Sequence, residues 1–102
     1  MFLVQILLPI SAETKHGFAN ERYDSVITEL TERFGGVTAF TRTPAEGRWK
    51  PEGEAATQDD IVVVEVMVDR LDRDWWRQYR NELEHAFKQE CIVVRAQDIL
   101  LL

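Results

Sequence analysis

The sequence predicts an α+β sandwich, with two helices lying on one face of a four-stranded antiparallel sheet in the order βαββαβ. Three observations point there. Residues 1–10, 37–43, 61–68 and 91–96 are apolar runs of strand length. Residues 23–34 and 75–87 each carry a single apolar face at helical spacing. Strand, helix and strand follow one another twice, which is the repeat such a sandwich requires.

The first run, from Phe2 to Leu8, is almost wholly apolar. It lacks a preceding basic residue and a small-residue cleavage site, so it reads as a buried strand and not as a targeting segment. It also falls short of the roughly 18 apolar residues of a membrane span. In the first helix Tyr23, Val26, Ile27, Leu30 and Phe34 recur at spacings of three and four. Asn20 is the expected N-cap, and Gly35 with Gly36 can supply the left-handed residue that ends a helix. Residues 37–43 alternate as an edge strand does. Residues 61–68 are continuously apolar, as in a central strand covered on both faces.

Between these strands, residues 43–60 are rich in Pro, Gly, Glu, Ala and Thr and read as a long loop with Trp49 in its middle. Asp72 or Asp74 should cap the second helix, whose inner stripe is Trp76, Tyr79, Leu83 and Phe87. His85 falls opposite that stripe and is expected in solvent. Cys91 opens the last strand. The expected sheet order is fourth, first, third, second strand, the arrangement of ferredoxin-like folds, and the 102 residues fit a single domain.

Composition narrows the function classes. Hydrophobic residues make up 45% and charged residues 29%, a globular mixture. The net charge of −6 repels a phosphate backbone and no basic stripe offsets it, so nucleic acid is not an expected partner. With one cysteine no intrachain disulfide can form, and a reducing cytoplasm is the simplest compartment. No motif for a phosphate loop, metal or cofactor is present. His16 and Cys91 stand without spaced partners, which favours a surface residue and a small hydrophobe over a ligand and a nucleophile.

Side-chain alternation leads further. Val62, Val64, Val66 and Val68 share one strand face and should meet the helices together with Phe2, Val4, Ile6 and Leu8. The opposite face then carries Leu3, Leu7, Ile61, Val63 and Met67, flanked by Phe40 and Val93, around the polar pair Gln5 and Glu65. A face so apolar needs cover, and a second copy packed face to face, a homodimer, is the economical one. Residues 99–102, four apolar residues in a row, could cross to that partner. Glu65 needs a cation in such surroundings, and Arg42 and Arg95 on the edge strands are the candidates. Gln5, Arg42, Glu65 and Arg95 could thus form a pocket for a small anion, with Trp49 as its lid. An ordinary cross-strand ion pair is the plainer account of the same residues.

The stretch Phe34-Gly35-Gly36-Val37-Thr38-Ala39-Phe40, with Gly47-Arg48-Trp49 and Ile61-Val62-Val63-Val64-Glu65, resembles small bacterial families of unassigned function with a ferredoxin-like domain. That resemblance implies the fold and the hairpin but no activity. In architecture the chain is similar to the dimeric α+β barrel proteins, which include cofactor-independent monooxygenases, although none of their catalytic residues maps to a position here. Trp49-Lys50 before an apolar strand resembles the Trp-bearing hairpin of trimeric signal-transduction and metal-tolerance proteins. The expectation is a self-associating, non-enzymatic binding or regulatory protein without cofactor. Its rivals are a monooxygenase-like enzyme acting on a small aromatic substrate, with Glu65 or His16 moving a proton, and a structural subunit of a larger assembly.

Overall fold

The computed structural model describes residues 1–10, 18–49 and 57–102, and side chains for residues 1–9, 21–39 and 61–102. Its elements run β1 (Phe2–Ile10), α1 (Phe18–Phe34), β2 (Thr38–Trp49), β3 (Thr57–Val68), α2 (Arg73–Ala86) and β4 (Val93–Asp98). The strands form one antiparallel sheet in the order β2-β3-β1-β4, the order expected from the ferredoxin-like arrangement. The two most continuously apolar strands, β1 and β3, lie at its centre. There each needs a hydrophobic neighbour on the helix side and backbone partners on both edges.

The core occupies the helix side. Val4, Ile6 and Leu8 of β1 and Val62, Val64, Val66 and Val68 of β3 are buried there with Val26 and Leu30 of α1 and Trp76, Tyr79 and Leu83 of α2. Phe2 is half-buried at the margin. The helices run antiparallel: Arg22, near the start of α1, donates to the Ala86 carbonyl at the end of α2. At the other end Phe34 stacks on Trp76, with ring centroids 5.3 Å apart, and Trp75 meets both rings edge-on. The Arg33 guanidinium lies 4.2 Å from the centre of the Trp75 ring, a cation–π contact that covers the cluster.

The caps have clear causes. Asp72 accepts from the Trp75 amide at 3.1 Å, satisfying one of the free donors at the start of α2. Gly35 takes φ +83° and ends α1. Two assignments change. α1 begins at Phe18, so Asn20 lies inside the helix and is not its cap. β4 begins at Val93, leaving Cys91 exposed before it, and the buried residue of that turn is Ile92.

The largest departure is the β2–β3 connection. Both strands continue through much of residues 43–60, with pairs from Ala45↔Ile61 to Trp49↔Thr57. Pro44 and Gly47 suggested a loop. On an edge strand, however, a proline forfeits no ladder bond on its solvent side, and Pro44 falls in the register break between Phe40 and Ala45. Residues 50–56 of the expected loop lie outside the described residues.

Candidate functional site

Register builds the site. Gln5 of β1 lies directly opposite Glu65 of β3 on one side and Arg95 of β4 on the other. Three polar side chains therefore form a row across three adjacent strands, on the sheet face the helices leave open. Strand spacing separates the Cα atoms of Arg95 and Glu65 by about 9–10 Å, with Gln5 on the strand between them. Gln5 fills the gap. Its Nε2 donates to Glu65 Oε2 at 2.7 Å, and its Oε1 accepts from Arg95 Nε at 2.9 Å. A carboxamide is the side chain that can donate at one end and accept at the other. This orientation of the amide is the one that serves both charged neighbours.

Above and below that row the face is mainly apolar, with Gln97 at its β4 edge. Leu3 stands between Gln97 and Met67, and Leu7 between Val93 and Val63. Leu3, Leu7, Ile61 and Val63 are half-buried, while Met67 keeps 51% and Val93 46% of its surface in solvent. Gln5 and Glu65 are half-buried within the patch, and Arg95 is exposed at its β4 side. Among the described residues, Arg95 has no partner for its two terminal nitrogens and Glu65 none for Oε1.

β4 owes its position to α2. Glu84 Oε2 accepts from the Ile92 amide at 2.9 Å, tying the turn before β4 to the helix, and buried Ile92 anchors it in the core. Val93 and Arg95 then face away from the helices. At the far end the Ile99 amide donates to the Met1 carbonyl at 2.9 Å, extending the β1–β4 pairing by one bond.

The sequence brings Gln5, Glu65 and Arg95 to one face, and in the structure they touch. It anticipates a direct arginine–carboxylate contact, whereas Gln5 intervenes. Arg42 lies in the register break of β2, where Thr38 and not Arg42 stands opposite Glu65. The side chains of Arg42 and Trp49, and the whole of His16, lie outside the described residues. Thr38, which continues the row by register, was missed because the position of β2 against β3 depends on pairings that alternation alone does not specify. His85 is exposed, with Nδ1 3.0 Å from the Asn81 carbonyl oxygen of its own helix. Among the described residues no three His, Cys, Asp or Glu side chains gather as metal ligands would, and no helix is long and apolar enough to cross a membrane.

No family model and no curated protein matches the chain. Solved structures do. A phage SAM lyase in complex with S-methyl-5′-thioadenosine superposes with a TM-score of 0.64 at 16% identity, over 95% of this chain and 80% of that one. The apo form of a phage SAM lyase gives 0.59 at 16% identity, over 94% and 78%. CutA1 from Pyrococcus horikoshii gives 0.55 at 13% identity, over 100% of this chain and 86% of that one. The likeness is one of fold. At these identities it extends to the βαββαβ sandwich and to no residue role.

Proposed function

We propose that this chain is a small self-associating protein of the binding or regulatory kind, joined to further copies through the open face of its sheet. One observation carries the reading: a row of three linked polar side chains crosses the middle of a mainly apolar sheet face. Apolar surface of this extent favours burial against a partner. The row is formally neutral, with one guanidinium and one carboxylate joined through Gln5. It therefore offers a small anion no net attraction, whereas a surface bearing both signs suits it. That balance favours a protein partner over the anion pocket expected at Gln5, Arg42, Glu65 and Arg95. The test is the solution mass by light scattering, with native mass spectrometry of the same sample. The expected result is a multiple of the 11.9 kDa chain. A stable monomer across micromolar concentrations overturns the proposal.

A second reading, enzymatic, draws on the structural likeness to the phage SAM lyase bound to S-methyl-5′-thioadenosine. A sulfonium substrate is cationic, and Glu65 is a half-buried carboxylate in apolar surroundings, where attraction to a cation is strengthened. Incubation with S-adenosylmethionine would release S-methyl-5′-thioadenosine, and Glu65→Gln would abolish that release. Absence of product with the unaltered protein removes this reading and leaves the first intact.

A further inference from the structure

The row has a polarity that selects one way for two copies to meet. Across the open face the order is Arg95, Gln5, Glu65, positive towards the β4 edge and negative towards β3. Two sheets packed face to face lie about 10 Å apart, within reach of an arginine and a glutamate extended from opposite sides. A two-fold axis parallel to the strands and passing beside Gln5 reverses the row. Arg95 of each copy then faces Glu65 of the other, and Gln5 faces Gln5. A two-fold axis along the row instead sets Arg95 against Arg95 and Glu65 against Glu65, which repel. The apolar positions fit both choices alike, because Gln97 opposes Met67 in the first and Val93 in the second, so the charged ends decide. In the first, Leu3 and Leu7, both on β1, fall on the axis and meet their own copies, while Val93 meets Val63 of the second chain.

We infer that this protein forms a two-fold dimer with parallel β1 strands, in which Arg95 of each copy pairs with Glu65 of the other across the open sheet face. The inference rests on the self-association proposed above and adds its partner, symmetry and recognition pair. An isologous contact of this kind uses each recognition residue twice, so the two ion pairs form together. The groups have the capacity for it: the terminal nitrogens of Arg95 and Oε1 of Glu65 take no partner among the described residues. Gln5 holds both side chains in place beforehand, lowering the ordering cost of the contact.

Charge reversal tests the pairing. Arg95→Glu makes the row negative at both ends and Glu65→Arg makes it positive at both ends. Each variant alone should associate about 100-fold more weakly than the unaltered protein, the scale of close interfacial charge pairs. Mixed in equal amounts, the two should recover a 1:1 heterodimer by native mass spectrometry, which also shows that both remain folded. A second measurement is independent of charge. Leu7→Cys, in a chain that also carries Cys91→Ser, should be joined to its own copy by a bifunctional thiol reagent that spans about 10 Å, because Leu7 lies on the axis and the sheet spacing is too wide for a direct disulfide. If the unaltered protein is a monomer, the self-association reading fails. If it is an oligomer whose charge variants associate unchanged, whose mixture forms no heterodimer or whose Leu7→Cys chains do not cross-link, that reading stands and this inference is overturned.

Discussion

Tyr79 shows how much a single side chain contributes and withholds. Its ring is buried and stacks on Trp75 at 4.9 Å, yet its hydroxyl is buried without a hydrogen-bond partner among the described residues, as is that of Tyr23. A buried hydroxyl without a partner costs about 1–3 kcal/mol, so Tyr79→Phe should leave stability at neutral pH unchanged or raise it by about 1 kcal/mol. Burial, helped by the nearby Glu29 and Glu82 charges, holds the Tyr79 phenol well above its ordinary value near 10. The folded protein therefore keeps a proton that the unfolded chain releases. Stability is independent of this group below about pH 10 and falls as pH rises above it. Urea midpoints from pH 8 to 11 should decline less steeply in Tyr79→Phe than in the unaltered protein. Tyr23, also raised by burial and then by Asp24, sustains the remaining slope. A parallel decline in both proteins would show that Tyr79 does not contribute.

At the scale of elements the two helix ends make a controlled pair. α1 stops at Gly35 with φ +83°, and a Cβ there would meet nothing within 4 Å, so the cost of Gly35→Ala is backbone strain alone, about 1 kcal/mol. α2 stops with Lys88 at φ 53°. The Lys88 amide bonds the His85 carbonyl and the Gln89 amide the Glu84 carbonyl, which is the Schellman pattern with a lysine in the left-handed position that glycine prefers. Lys88→Gly should therefore stabilise by about 1 kcal/mol where Gly35→Ala destabilises by a similar amount. Opposite shifts in thermal midpoint would confirm the pair, and a loss in both would contradict the strain argument. The end of α2 matters beyond its own stability, because Glu84 in its last turn holds the Ile92 amide just before β4, the strand that brings Arg95 beside Gln5.

The whole molecule separates its charge from its apolar surface. Glu21, Asp24, Glu29 and Glu32 are exposed on α1, on the helix side, and contribute to the net charge of −6. The opposite face carries the neutral polar row and the apolar patch. Two molecules approaching helix to helix repel, whereas two approaching sheet to sheet meet the complementary surface. The solution mass and the mixed charge-reversal experiment both belong to this scale, since they read a property no single element possesses. Beyond β4, Leu100 keeps 84% and Leu101 58% of its surface in solvent, adding apolar surface close to the same edge.

By itself the sequence determined the element order, which strands are central, the helix-facing valines and the open face with Gln5 and Glu65, while the strand order came by analogy with ferredoxin-like folds. Each of the first four follows from a local period: two residues along a strand, about 3.6 along a helix, with Asp72 and Gly35 marking the boundaries. It misread residues 43–60 because proline and glycine signal a break without revealing that the strand lies at an edge, where a break is tolerated. It also misplaced the start of α1 at Asn20, a good cap residue that the helix passes through. Only the tertiary structure decided the register. Whether Arg95 or another β4 residue stands beside Gln5, and whether Thr38 or Arg42 stands beside Glu65, depends on how strands far apart in the chain align. A shift by two residues would preserve every inward and outward face, and so every hydrophobic pattern, while dispersing the polar row. Alternation is blind to that shift, and for β4 the Glu84–Ile92 bond and the burial of Ile92 oppose it.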